Sequence, residues 1–73
     1  MEQKEFLNTM ADVLDEDVAD LEMDTELSSL DGWDSIAYVA YLAAMSDYTE
    51  KKIAPKEVRD AVTLADLYRL AFS

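Results

Sequence analysis

Residues 2–14 place Phe6, Leu7, Met10, Val13 and Leu14 at i, i+1, i+4, i+7 and i+8. That is the spacing of an amphipathic helix with one apolar face. Such a face needs a core to bury it, and a chain of 73 residues has room for one domain, residues 1–73, with a core that stabilises it only marginally. There is no cysteine, so no disulfide adds to that stability.

The rest of the chain reads as more helix around a long connection. Residues 15–34 lack a period and carry Asp, Ser, Thr and the lone Gly32. They read as a loop with one short turn, pinned by Val18, Leu21, Met23, Leu27 and Leu30. Twenty residues of loop in a small domain hint at function. A second helix is expected over 35–48, capped by Asp34 or Ser35, with Gly32 allowing a tight turn before it. At 100° per residue Tyr38, Tyr41, Leu42, Met45 and Tyr48 share its inward side. Ile36, Val39, Ala40 and Ala43 share another side. A protein of this size can hardly bury both, and an exposed apolar face usually meets a partner. Ile53 is expected to anchor the next connection, and Pro55 fits the first turn of a short helix over 55–61 with Val58 and Ala61 inward. Thr63 and Asp66 approximate a capping box for a last helix over 64–72. The expected fold class is all-α, a small bundle of three main helices and one short one. Met10, Met23 and Met45 read as core filler.

Several chemistries are excluded. Without His or Cys the chain lacks the usual zinc ligand sets, thiol nucleophiles and imidazole bases. One glycine cannot build a phosphate-cradling glycine-rich loop. An EF-hand with Gly32 at its sixth position would put Leu27 where a carboxylate is needed. No catalytic residue and no metal site can be named, and Asp15-Glu16-Asp17 reads as a solvated charge run. The net charge of −11 sits wholly in the first half, where residues 1–34 hold twelve acidic residues and one basic residue, Lys4. Residues 35–73 hold five of each sign, including Lys51, Lys52, Lys56 and Arg59 around the third helix. An acidic surface repels nucleic acid and anionic membranes and attracts basic protein surfaces. The first eight residues are polar and acidic, unlike a signal peptide, and the longest apolar run, 36–45, is too short to cross a bilayer. A cytoplasmic, free-standing monomer is expected.

The stretch Trp33-Asp34-Ser35-Ile36 carries the functional signal. A serine at the first turn of a helix, beside a carboxylate and an apolar patch, has no base near it to make it a nucleophile. An accessible serine without activation suits modification by another enzyme. Around it stand Asp24-Thr25-Glu26-Leu27, Leu30, Val39, Leu42, Ile53 and Thr63-Leu64-Ala65-Asp66-Leu67. With these residues at these spacings the chain resembles the acyl carrier protein family over nearly its whole length.

The resemblance implies a 4′-phosphopantetheine arm on Ser35, with Asp34 as the adjacent motif residue. A phosphopantetheinyl transferase would install the arm from coenzyme A, with magnesium supplied at the transferase. Acyl intermediates would ride on the arm's thiol as thioesters, so the protein would be a substrate of enzymes and not a catalyst. Trp33, Ile36, Val39, Ala40 and Ala43 would form the contact for transferases and synthases bearing basic patches. Two alternatives stand beside this reading. An aminoacyl or peptidyl carrier shares the serine but usually has Gly-Gly-x-Ser-Leu, which Asp34 does not match. A non-modified acidic module docking through the second helix would not need Ser35.

Three features depart from the family pattern. The second helix carries little acidic charge, with Ala40 and Ser46 at positions that are often acidic and Asp47 alone charged. Ile36 replaces the usual leucine, and Trp-Asp-Ser looks like discrete carriers outside housekeeping fatty acid synthesis. Tyr38 and Tyr41 would narrow any space between the helices, which points to a short or polar cargo. If the acidic loop steers partners, Asp31→Lys lowers the association rate with a phosphopantetheinyl transferase by roughly threefold at low salt, and the difference fades as salt rises. Stopped-flow association rates insensitive to both changes would refute this.

Overall fold

The computed structural model describes residues 1–72. Helix α1 (Gln3–Leu14) is followed by two short 3-10 turns, Val18–Asp20 and Leu27–Ser29, within the long connection. Helices α2 (Ser35–Ser46), α3 (Pro55–Asp60) and α4 (Leu64–Phe72) complete the chain. The expected all-α bundle is therefore present, with α3 as the short helix. Among the described residues there is no strand, only an isolated antiparallel bridge between Glu26 and Thr63.

Each helix is bounded by local chemistry. α1 ends on Asp15 in the left-handed conformation (φ 56°, ψ 43°), and the Glu16 N–H reaches back to the Ala11 carbonyl at 3.0 Å. This back-bonded stop satisfies carbonyls that the helix leaves unpaired. α3 starts on Pro55, whose missing N–H costs nothing in a first turn. α4 has a full capping box. Thr63 Oγ1 accepts from the Asp66 N–H at 3.3 Å, while Asp66 Oδ2 accepts from the N–H groups of Val62 (2.9 Å) and Thr63 (3.1 Å). Those backbone donors hold the Asp66 carboxyl below the usual carboxylate range, and the Arg69 guanidinium paired with it adds to the effect.

The long connection is held by backbone bonds to the start of α4. Thr25 O accepts from Leu64 N at 3.1 Å, Met23 O from Ala65 N at 2.7 Å, and Val62 O from Leu27 N at 2.8 Å. The first two bonds satisfy donors that α4 cannot satisfy itself, and the third satisfies a donor of the connection. Leu21 and Leu27 are buried beneath them, and Met23 and Leu30 pack half-buried against the core. Val18 is not the anchor that its apolar side chain suggests. It lies at the start of a 3-10 turn and is exposed. The turn itself is fixed instead by Asp17, whose carboxylate accepts from the Ala19 N–H.

Gly32 has no positive φ, so the tight turn expected there is not why glycine is needed. A Cβ on Gly32 would overlap the carbonyl oxygen of Leu14 at the end of α1. Glycine lets the chain enter α2 in contact with the α1 backbone.

The core comprises Phe6, Met10, Leu14, Leu21, Leu27, Tyr41, Met45, Val58, Leu64 and Leu67, with Ala11, Ala37 and Ala71 filling between them. On α2 the buried positions are Ala37, Tyr41 and Met45, one position per turn. Tyr38 and Leu42 flank this line half-buried. The inward side thus centres on Ala37 rather than on Tyr38, and Tyr48 lies outside it. The helix ends at Ser46, two residues before Tyr48, which is 49% exposed. Tyr41 is wholly buried, and its hydroxyl donates to the Leu67 carbonyl at 2.7 Å. The bond ties α2 to α4 and gives a buried phenol the partner it requires.

Burial pushes the Tyr41 phenol above its ordinary value. A folded-state pKa above the unfolded one means that its stabilising contribution is complete below pH about 10 and declines as pH rises further. Tyr41→Phe is expected to lower stability at pH 7 by about 1–2 kcal/mol and to flatten the alkaline limb. Urea midpoints measured from pH 7 to 11 test both, and an unchanged alkaline slope would contradict the assignment.

Candidate functional site

Which residue caps α2 decides what Ser35 is free to do. Either Asp34 or Ser35 could serve from the sequence. Asp34 takes the position, with extended backbone and its Oδ1 accepting from the Ala37 N–H at 2.9 Å. Ser35 therefore becomes the first residue of the helix, exposed to solvent, and its hydroxyl engages no other group among the described residues. Asp34 is exposed but committed to the helix end, where its negative charge also suits the helix dipole.

Ser35 lies where two surfaces meet. On one side Ile36 is 78% and Val39 61% exposed, with Ala43 exposed further along α2. These are the positions expected to form an unburied apolar face. Ala40, assigned to the same face, is half-buried and contributes less to it. On the other side Ser35 borders an open groove of about 380 Å³ between the start of α2 and α3. Trp33, Asp34, Tyr38, Pro55, Val58 and Arg59 complete its lining.

Trp33 is half-buried, with its ring edge-on to Tyr41 at 6.2 Å and 77°. It both packs against the core and walls the groove. α3 contributes because Val58 is buried beneath it and Arg59 follows one residue on. The sequence grouped Arg59 with Lys51, Lys52 and Lys56 around the third helix, a basic cluster that pairs with the acidic half or solvates that face. Its nearness to Ser35 depends on how α3 packs, and the only local signal was the neighbouring inward Val58.

Acidic side chains line a second depression, which Asp34 shares with the groove. This shallow depression of about 400 Å³ is lined by Val13, Leu14, Asp15, Asp31, Gly32, Asp34, Ile36 and Ala37. It runs from the end of α1 to the start of α2. Among the described residues, no three carboxylates converge on a point that could hold a metal ion, and Asp15, Glu16 and Asp17 are not brought together as such a set. Among the described residues, no helix is long and apolar enough to cross a membrane.

The groove and the apolar patch flank the unengaged hydroxyl of Ser35. The family model of the phosphopantetheine attachment site matches residues 4–71. The searches of curated proteins and of solved structures return no match. The family match spans α1 to α4 with the connection between them, and the chain belongs to the phosphopantetheine attachment-site family, carriers of a covalently attached 4′-phosphopantetheine.

Proposed function

We propose that Ser35 is the attachment residue, and that the protein, as one carrier unit over residues 1–73, bears short acyl intermediates as thioesters in a specialised biosynthetic pathway. The observation that supports this most is the division of labour at the start of α2. Asp34 caps the helix, which leaves the exposed Ser35 hydroxyl unengaged. In the transfer the pyrophosphate P–O bond of coenzyme A breaks, adenosine 3′,5′-bisphosphate leaves, and the new phosphodiester oxygen comes from the Ser35 hydroxyl. Its proton goes to a base of the transferase, since this chain offers no His or Cys for the purpose. When attached, the arm supplies the thiol that the chain lacks.

The residues around Ser35 have separate tasks in this reading. Ile36, Val39 and Ala43 give partner enzymes an apolar contact, with Ala40 and Trp33 at its margin. The acidic first half draws basic patches toward the site from a distance. Such contacts are brief, so that one monomeric carrier in the cytoplasm serves the transferase and the synthases in turn. In this reading nucleic acid is not a partner, and the protein does not insert stably into a membrane.

The short-cargo reading rests on Tyr41. It fills the space between α2 and α4, and its hydroxyl is already bonded to Leu67. A long chain entering there would have to break that bond and displace a wholly buried ring, at a cost of several kcal/mol.

Two measurements test the proposal. Intact mass after incubation with coenzyme A, magnesium and a promiscuous transferase should rise by one phosphopantetheine, and Ser35→Ala should abolish the gain. A gain retained in the variant would move the attachment elsewhere. In the octanoylated protein, amide resonances of Phe6, Met45 and Leu67 should stay near their unloaded positions. Large shifts at these core residues would overturn the short-cargo reading.

A further inference from the structure

The groove beside Ser35 has a largely apolar lining from Trp33, Tyr38, Pro55 and Val58, and two charged groups, Asp34 and Arg59. Asp34 is occupied with capping α2. Arg59 is exposed and has no hydrogen-bond or ion-pair partner among the described residues. Among the described residues it is the one cation lining the groove. The volume of about 380 Å³ falls within the range of sites that hold a small ligand.

Charge makes this placement significant. Asp34 lines the groove beside Ser35 and shares the adjoining depression with Asp31, and the whole net charge of −11 belongs to the first half of the chain. A phosphodiester on Ser35 adds another negative charge at that point. Left alone, it would be repelled by the acidic loop and held out in solvent. A guanidinium across the groove reverses the balance, since its planar donors suit phosphate oxygens.

We propose that Arg59 pairs with the phosphodiester of the arm on Ser35 and lays the arm along the groove, against Trp33 and Val58. The proposal rests on Ser35 being the attachment residue. Arg59 is then a positioning residue that sets how much of the time the arm is docked on its own carrier. The pair is exposed, so its contribution is small and salt-sensitive. The arm accordingly exchanges between docked and free states, and a partner's basic patch releases it by competing for the same phosphate.

The holo-protein is made with coenzyme A and a transferase, and loading is verified by intact mass. Wild type, Arg59→Gln and Arg59→Lys are then compared by ¹H–¹⁵N spectra at low and high salt, with far-UV circular dichroism confirming equal helicity. Trp33 is the single tryptophan, so its indole N–H resonance reports on the groove without ambiguity. In wild type at low salt, loading should shift both the Trp33 indole and the Arg59 Nε–Hε resonances. The indole shift should fall by roughly threefold in Arg59→Gln and in wild type at high salt, the scale expected of an exposed charge pair. Arg59→Lys should keep most of it. A full indole shift in Arg59→Gln, or wild-type shifts confined to residues 34–36, would overturn the role of Arg59 while leaving Ser35 as the attachment residue. No mass gain would overturn the attachment itself, and the role of Arg59 with it.

Discussion

The N–H groups at the start of α4 find no acceptor within their own helix, and the long connection is arranged around satisfying them. Carbonyls of Met23 and Thr25 accept from Ala65 and Leu64, and Val62 returns a carbonyl to Leu27. Asp66 and Thr63 satisfy the remaining donors of that turn. Twenty residues with almost no regular structure are thereby held against the core. With their course settled, Leu21 and Leu27 are buried, and the chain returns past Leu14 to begin α2. Without those bonds, the connection would expose backbone groups and lose its two buried leucines, too great a loss for a core of this size.

The site follows from that path. The chain enters α2 through Gly32, pressed against the end of α1 where no side chain fits. Asp34 then caps the helix, and Ser35 is left at its exposed first turn. Tyr41, two turns into α2, fixes the helix to α4 through the Leu67 carbonyl. The serine is thus exposed at the start of a helix held at its entry and again at Tyr41.

Charge and apolar surface are divided between the two halves of the protein. Twelve of the seventeen acidic residues lie before Ser35 and the apolar patch after it, with five of the six basic residues gathered around α3 and α4. Steering from a distance and contact at short range thus involve different residues. Arg59 is a positive group close to the acidic side of this arrangement, a position that suits an anion attached between them.

Much of this was legible from the residues alone. The apolar period of α1, the proline start of α3 and the Thr63–Asp66 box are local signals, decided within a few residues, and the structure has them where they were expected. The exposed positions Ile36, Val39 and Ala43 also followed, because one helix in so small a protein cannot bury every side. The sequence determined the helices, the charge division and the motif around Ser35, since propensity, period and formal charge belong to the chain itself. Tertiary packing decided the rest. It centred the buried line of α2 on Ala37 and left Tyr48 outside, because an α2 that is apolar on most sides has no period to orient it. It left Val18 exposed, gave Gly32 its reason in the backbone of α1, and set Arg59 across the groove from Ser35. Each of these depends on two segments distant in sequence coming into contact, and no local pattern encodes which segments meet.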